Sequence, residues 1–129
     1  MMLKTLAPAA LAALLLAAGP ALAEGDPAAG EKVYKKCKVC HMVGEGAKNR
    51  VGPPLNDIIG RQAGTLGGFN YSPAMKKAGE EGLVWTEEAM AEYLEAPRKY
   101  VKGTKMAFPG LKKEQEIADV IAYLKQFSE

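Results

Sequence analysis

Apolar residues recur with a helical period near the end of the chain. In "KKEQEIADVIAYLKQF" they fall three or four positions apart, at Ile117, Val120, Ile121 and Leu124. Residues at this spacing share one face of an α-helix, and the charged residues of the segment lie on the other face. The pattern predicts a terminal amphipathic helix that buries one apolar stripe.

A second helix is predicted at the start of the polar part of the chain. "DPAAGEKVYKKC" offers Asp26 as the N-cap and Pro27 at the first helical position, where a missing N–H costs nothing. Gly30 and Tyr34 are four positions apart and therefore share a face. A small and an aromatic residue on one face suit close packing against another helix.

Two further segments carry helix start and stop signals. "TEEAMAEYLEAP" has Thr86 as N-cap, acids in the first turn where the helix dipole favours them, and Pro97 as terminator. The shorter "YSPAMKKAG" has Ser72 as cap, Pro73 as entry and Gly79 as its closing residue. No segment shows sustained alternation of apolar and polar residues, so the predicted fold class is all-α.

The segment 42–70 does not fit an ordinary helical bundle. It holds seven glycines and two prolines, and only "LNDII" hints at a helix. A long stretch without regular structure is unusual in a compact domain unless it is functional. Disorder is one interpretation. The other is that the segment wraps a buried group that is not protein.

Residues 1–23 have the composition of a cleaved secretory signal. A basic Lys4 precedes an apolar run from about Leu6 to Ala18, and Ala21-Leu22-Ala23 is a small-x-small ending. The run is short for a membrane span of about 20 residues, although an uncleaved anchor is the alternative. We therefore expect export to the periplasm and one domain over residues 24–129.

The charge balance excludes one class of partner. The chain has 17 basic and 15 acidic residues, and removal of Lys4 with the leader leaves 16 against 15. Nucleic-acid binding normally needs a strong basic excess, so it is not expected here. Lysines nevertheless cluster around the cysteines and again around residues 98–113, while acids gather over 80–95. This separation predicts a positive and a negative face.

The only two cysteines and the only histidine stand together in "CKVCH", residues 37–41. On a helix, Cys37, Cys40 and His41 would project from one face. This is the spacing of c-type haem attachment, in which two thiols bond the haem vinyl groups and the imidazole reaches the iron. Three alternatives are weaker. A structural zinc site needs four ligands, and a thioredoxin-like cysteine pair occurs in a βαβ unit. A disulfide that closes so short a loop adds little stability.

The sixth position of such an iron decides between electron transfer and ligand binding, and a methionine there indicates an electron carrier. No second histidine exists, which leaves thioethers. Met42 is adjacent to His41 and cannot reach the opposite haem face. Met90 lies on a helix stripe, where core packing is commoner, and Met75 remains a candidate. Met106 leads, because the irregular "KGTKMAFPG" can place its side chain freely.

From Gly25 to Ser128 the chain resembles the class I cytochromes c, which include the mitochondrial protein and the soluble bacterial cytochrome c2 type. The resemblance rests on several motifs in family order. They are "CKVCH", "VGPPL", "GRQAG", "GFNYS", "LVWTEEAMAEYLEAPRKYVKGTKMAFPG" and "IADVIAYLK". The stretch from Tyr71 to Trp85 is longer than in the mitochondrial pattern, which fits the bacterial branch better.

The resemblance implies a fold of three main helices, with short helices and Gly/Pro-rich loops, around one haem c bound through Cys37 and Cys40. It implies that the first and last helices cross at Gly30, Tyr34 and Tyr123. It also implies His41 and Met106 as axial ligands.

Further residues are carried over from the family around these ligands. The Pro53 carbonyl would accept the His41 Nδ1–H, which orients the ring. The resemblance implies that Arg61, Tyr71 and Trp85 donate hydrogen bonds to the haem propionates. It also implies that Tyr93 and Thr104 form a polar pair near the methionine sulfur, and that Phe108 lies at the haem edge. Met75 stands about where the mitochondrial pattern has an asparagine near a propionate.

The sequence thus predicts a soluble, monomeric, single-haem electron carrier and not an enzyme. The family implies a quinol-oxidising cytochrome bc complex as donor, and a terminal oxidase, photosynthetic reaction centre or other reductase as acceptor. A ring of lysines would steer the carrier to acidic docking surfaces. They are Lys35, Lys36, Lys38, Lys102, Lys105 and Lys112. The rival function is a ligand-binding or peroxidase-like haem protein with a labile sixth ligand.

Overall fold

The computed structural model describes residues 24–128 and Met2, so the predicted leader lies almost entirely outside the described residues. Five helices follow one another: α1 (Pro27–Tyr34), α2 (Pro73–Glu80), α3 (Glu87–Glu95), α4 (Pro97–Tyr100) and α5 (Glu114–Lys125). Pairing between strands is limited, over the described residues, to one isolated antiparallel bridge from Gln62 to Val84. The all-α prediction is confirmed. None of the helices in this part is long and apolar enough to cross a membrane.

The three predicted N-caps are confirmed. The side-chain oxygens of Asp26, Ser72 and Thr86 each accept a hydrogen bond of 3.0 Å from a backbone N–H in the first turn of α1, α2 and α3. Each such bond satisfies one of the donors that a helix start leaves unpaired. Single cap residues in the sequence therefore predicted the starts of these three helices correctly.

Helices α1 and α5 cross where the sequence predicted. Gly30 and Tyr34 are buried in α1, and the Tyr34 ring lies 5.2 Å from the Tyr123 ring, centroid to centroid. A Cβ on Gly30 would collide with the Asp119 carbonyl, so glycine permits this close approach. The buried Asp119 carboxylate also accepts the Asp26 N–H at 2.8 Å, which ties the entry of α1 to α5.

The predicted apolar stripe of α5 faces the core. All four of its members are buried, at Ile117, Val120, Ile121 and Leu124. They pack with buried residues of α3 and of the connecting segments, among them Met90, Leu94 and Leu111. The core therefore lies between α5 and α3, and one side of it opens onto a cavity.

Pro97 ends α3 as predicted, whereas two other local expectations were wrong. Pro97 not only follows the end of α3 but also begins α4, because a proline fits the first turn of a helix. Gly79 lies inside α2, where a Cβ would collide with the Ala63 carbonyl. The chain turns only at Gly82, whose φ is 105°. Finally, "LNDII" forms turns, and Asp57 there adopts a left-handed φ of 56°.

The segment 42–70 is folded and not disordered. The Asn56 amide makes two bonds to Gly44, accepting its N–H at 3.1 Å and donating to its carbonyl at 3.0 Å. Asp57 N–H donates to the Phe127 carbonyl at 3.1 Å, just beyond α5. These bonds close the segment into a wall of the cavity, which is the arrangement that wrapping a buried group requires.

Candidate functional site

A cavity of about 530 Å³ lies between α3, α5, the end of α1 and the two long irregular segments. Its lining is mostly apolar and includes all ten residues that the sequence assigned to a haem site. They are Cys37, Cys40, His41, Pro53, Arg61, Tyr71, Trp85, Tyr93, Thr104 and Met106. Phe108 and Met75 line it as well. Residues far apart in sequence therefore converge on one apolar chamber with a few polar groups, the usual character of a cofactor site.

The two cysteines and the histidine do not lie on a helix, contrary to expectation. Helix α1 ends at Tyr34, and residues 35–40 form hydrogen-bonded turns. The Cys37 carbonyl accepts the N–H groups of Cys40 at 3.0 Å and of His41 at 2.9 Å. These bonds span three and four residues, so they hold the side chains on one side, as a helical turn would.

Cys37 and Cys40 both line the cavity and are not joined to each other by a disulfide. Burial, with a contribution from Cys40 and against the effect of Lys36, raises the pKa of Cys37 to about 11. Over the described residues, no cluster of three or more His, Cys, Asp or Glu is arranged to hold a metal ion.

His41 is held from two sides. Its Nδ1 lies 2.7 Å from the Pro53 carbonyl oxygen, so Nδ1 carries the hydrogen and Nε2 is the free nitrogen. Its backbone carbonyl accepts the Tyr34 hydroxyl at 3.0 Å. Burial lowers the pKa of His41, partly offset by the bond to Pro53. The imidazole is therefore neutral and oriented, as a metal ligand must be.

The contact between Gly52 and the His41 ring was not predicted from the sequence. A Cβ at this position would lie 2.7 Å from the His41 Nδ1, so the glycine backbone packs flat against the imidazole ring. Its N–H donates to the Cys40 carbonyl at 2.9 Å, which joins the "VGPPL" loop to the cysteine turns. The glycine in that motif was the available signal, but nothing local indicated which ring it faced.

The sulfur of Met106 has a polar environment. The Tyr93 hydroxyl lies 3.8 Å from Met106 Sδ and 3.4 Å from Thr104 Oγ1. Thr104 Oγ1 also accepts the Met106 N–H at 3.3 Å. Burial raises the pKa of Tyr93, opposed by its bond to Thr104, so this hydroxyl is a stable donor at neutral pH. The predicted polar pair and the thioether thus form one network.

The other methionines occupy different positions. Met75 and Met90 are buried and also line the cavity, from α2 and α3. Met42 does not line this cavity and instead lines a separate cleft of about 330 Å³, which His41 also borders. Among the methionines of the described residues, Met106 alone receives a hydroxyl donor at its sulfur.

Arg61 gives the cavity an anion-binding group. Its Nη1 donates to the Asn56 carbonyl at 3.2 Å, but its Nη2 is buried and has no hydrogen-bond partner among residues 24–128. A buried donor of this kind needs an acceptor. The Tyr71 hydroxyl accepts the Leu66 N–H at 3.3 Å, which leaves its own O–H free to donate. These residues fit a haem, whose apolar ring would fill the chamber and whose carboxylate would meet Arg61.

Trp85 is the third residue expected near the carboxylates. Its indole is buried and lies 4.8 Å from the Tyr93 ring, centroid to centroid. It therefore connects the wall formed by Arg61 to the wall formed by α3. The backbone holds it there, since Trp85 N–H donates to the Arg61 carbonyl at 2.9 Å.

Comparison with known proteins agrees with this site. The family model described as cytochrome c matches residues 27–128. Cytochrome c2 from Afifella marina is 62% identical over 100 residues, which cover 78% of this chain and 81% of the relative. Cytochrome c2 from Blastochloris viridis is 50% identical over 115 residues, covering 89% and 87%.

A solved structure shares the fold as well. Cytochrome c2 from Rhodospirillum centenum superposes with a TM-score of 0.76 at 53% identity, covering 81% of this chain and all of the other. The family match spans both cysteines and the whole cavity. The chain therefore belongs to the class I cytochrome c family, as a single-haem electron-transfer protein that carries one haem c on Cys37 and Cys40.

Proposed function

We propose that this cytochrome is a periplasmic shuttle whose haem iron is ligated by His41 and Met106. It would accept electrons from a quinol-oxidising cytochrome bc complex. It would pass them to a terminal oxidase, a photosynthetic reaction centre or another reductase. The observation that carries the ligand assignment is the Tyr93 hydroxyl, 3.8 Å from Met106 Sδ, in the same cavity as an imidazole oriented by Pro53. The signal-like residues 1–23 support export.

The protein's part in electron transfer is to keep the site the same in both redox states. The haem supplies an iron that alternates between Fe(III) and Fe(II). Pro53 fixes the His41 ring, and Tyr93 with Thr104 fixes the Met106 side chain. The apolar lining excludes water, and Arg61 offsets the charge of a buried carboxylate. A fixed, dry site changes little when an electron enters or leaves, which suits a carrier.

The rim of the cavity supports the docking part of the proposal. Lys36 and Lys105 line it next to Val39 and Val51, which are 70% and 79% exposed. Exposed apolar side chains with lysines around them suit a small, transient interface with an acidic partner. All six lysines of the predicted ring are exposed.

The ligand assignment is tested by absorption spectroscopy of the purified holoprotein. We expect a methionine-to-Fe(III) charge-transfer band at neutral pH, and slow, incomplete binding of carbon monoxide to the ferrous form and cyanide to the ferric form. Rapid and complete binding, or absence of the band, would contradict the proposal and favour the ligand-binding rival. Mass spectrometry of the mature protein separates a cleaved chain, starting near Glu24, from a tethered one.

A further inference from the structure

The segment that carries Met106 has little backbone support. It lies between Gly103 and Gly110, whose φ values of 94° and 113° are left-handed. Residues 105–110 make no backbone-to-backbone hydrogen bond with the rest of the described chain; such bonds resume at Leu111, whose N–H donates to the Leu94 carbonyl at 2.8 Å. Few backbone bonds and glycine at both ends are features of a segment that opens locally.

Two side chains bond the backbone of this segment instead. Thr104 Oγ1 accepts the Met106 N–H at 3.3 Å. On the far side of the methionine, Arg98 Nη2 donates to the Ala107 carbonyl at 2.5 Å. Arg98 belongs to α4, which packs on α3, so the bond links the segment to the helical frame. The guanidinium donates to the carbonyl one residue beyond Met106.

We propose that Arg98 is a positioning residue for the Met106 ligand. Its hydrogen bond to Ala107 holds the peptide after the methionine and thereby keeps the thioether at the iron. Arginine suits this position because its planar, charged group is preorganised for hydrogen bonding. The inference rests on the proposed ligation by Met106.

The competing interpretation is that Arg98 contributes only positive charge to an exposed, lysine-rich surface. Its neighbour Lys99 offers a matched control, because it is exposed and carries the same charge, and its side chain makes no hydrogen bond or ion pair within the described residues. Arg98→Met keeps an unbranched side chain and removes the donors, and Lys99→Met removes the same charge next to it.

The experiment uses the two ferric holoproteins and the parent. The rate of cyanide binding at neutral pH and the pH midpoint for loss of the methionine charge-transfer band are measured for each. We expect Arg98→Met to bind cyanide about tenfold faster, with a lower pH midpoint, since hydrogen bonds to charged groups are stronger than average. Tenfold corresponds to about 1.4 kcal/mol. Lys99→Met should stay within about twofold of the parent.

The outcomes separate the two proposals. Equal cyanide rates for Arg98→Met and the parent, or equal acceleration in both variants, would overturn the role of Arg98. Absence of the charge-transfer band in the parent would instead overturn ligation by Met106. A denaturant unfolding curve recorded on each variant identifies a general loss of stability, which would lower the midpoint of unfolding as well as the pH midpoint.

Discussion

His41 shows how a single side chain is fixed by residues that have little chemistry of their own. The Pro53 carbonyl sets the ring tautomer, the Tyr34 hydroxyl holds the His41 carbonyl, and Gly52 lies against the ring face. Each contact restrains a different motion of the residue, in the plane of the ring, along the backbone and across the ring face. The free nitrogen is thus aimed before any ligand bond forms.

Gly52 allows a steric test of this arrangement. Its φ is not left-handed, so alanine is tolerated by the backbone, but the new Cβ would lie 2.7 Å from His41 Nδ1. We expect Gly52→Ala to displace the ring and to lower the free energy of unfolding of the holoprotein by about 1–3 kcal/mol, the usual cost of overpacking. Denaturant titration followed by haem absorbance measures the change.

Gly67 provides the control for this substitution. A Cβ there meets nothing within 4 Å, and its φ is also ordinary, so Gly67→Ala should leave the unfolding midpoint unchanged or slightly raised. If Gly52→Ala proved as stable as Gly67→Ala, the packing of the glycine on His41 would be unimportant.

Local signals predicted much of the site, and contacts across the chain explain the remainder. The cap residues, the amphipathic α5 and the "CKVCH" motif are short-range patterns, legible because the physics that sets them is local. The contact of Gly52 with His41 and that of Arg98 with Ala107 depend on how distant segments meet. The sequence pattern does not show which distant segments come into contact. The helical spacing of the cysteines also led to a wrong expectation, because they lie on turns.

At the scale of helices, the crossing of α1 and α5 anchors the cysteine turns. Helix α1 leads directly into them, while Asp119 of α5 holds the Asp26 N–H at the start of α1. Tyr34, at the end of α1, packs against the Tyr123 ring and donates to the His41 carbonyl. Any shift of α1 along α5 would therefore move the proximal side of the haem site.

Gly30 makes this coupling testable. In an isolated helix, glycine to alanine is favourable by about 1 kcal/mol. In this protein the new Cβ would collide with the Asp119 carbonyl and approach Tyr123 Cβ, so α1 has to move away. We expect Gly30→Ala to lower the free energy of unfolding by about 2–3 kcal/mol, because crossing contacts are lost.

The reverse change on the exposed face of α1 is the matched control. Ala28 is exposed, and Ala28→Gly should cost about 1 kcal/mol or less, from helix propensity alone. Circular dichroism during thermal unfolding compares the two variants. A stabilised Gly30→Ala protein would show that the crossing adjusts to the extra methyl group without loss.

Across the whole molecule, the lysines of the predicted ring are not equivalent. Lys105 Nζ donates to the Asn70 carbonyl at 2.7 Å, and Lys112 Nζ to the Glu95 carbonyl at 3.0 Å. Lys36 lies 3.9 Å from Glu116. By contrast, the side chains of Lys38 and Lys102 make no hydrogen bond or ion pair with the described residues. Some lysines of the ring therefore contribute charge alone, whereas others also connect two segments of the chain.

This difference leads to distinct expectations for two kinds of variant in electron transfer to an isolated acidic acceptor complex. Lys102→Gln should slow the second-order rate at low salt by a few fold, and the effect should vanish at high salt because screening removes steering. Lys105→Gln should show the same rate effect and, in addition, a lower pH midpoint for the charge-transfer band, because its bond to Asn70 is lost.

Lys76→Gln on α2, outside the ring, is the control and should change neither the rate nor the pH midpoint. Equal rates for all three variants across a salt series would contradict docking through the lysine ring, whereas a salt-dependent loss confined to Lys102 and Lys105 places the encounter at the cavity rim.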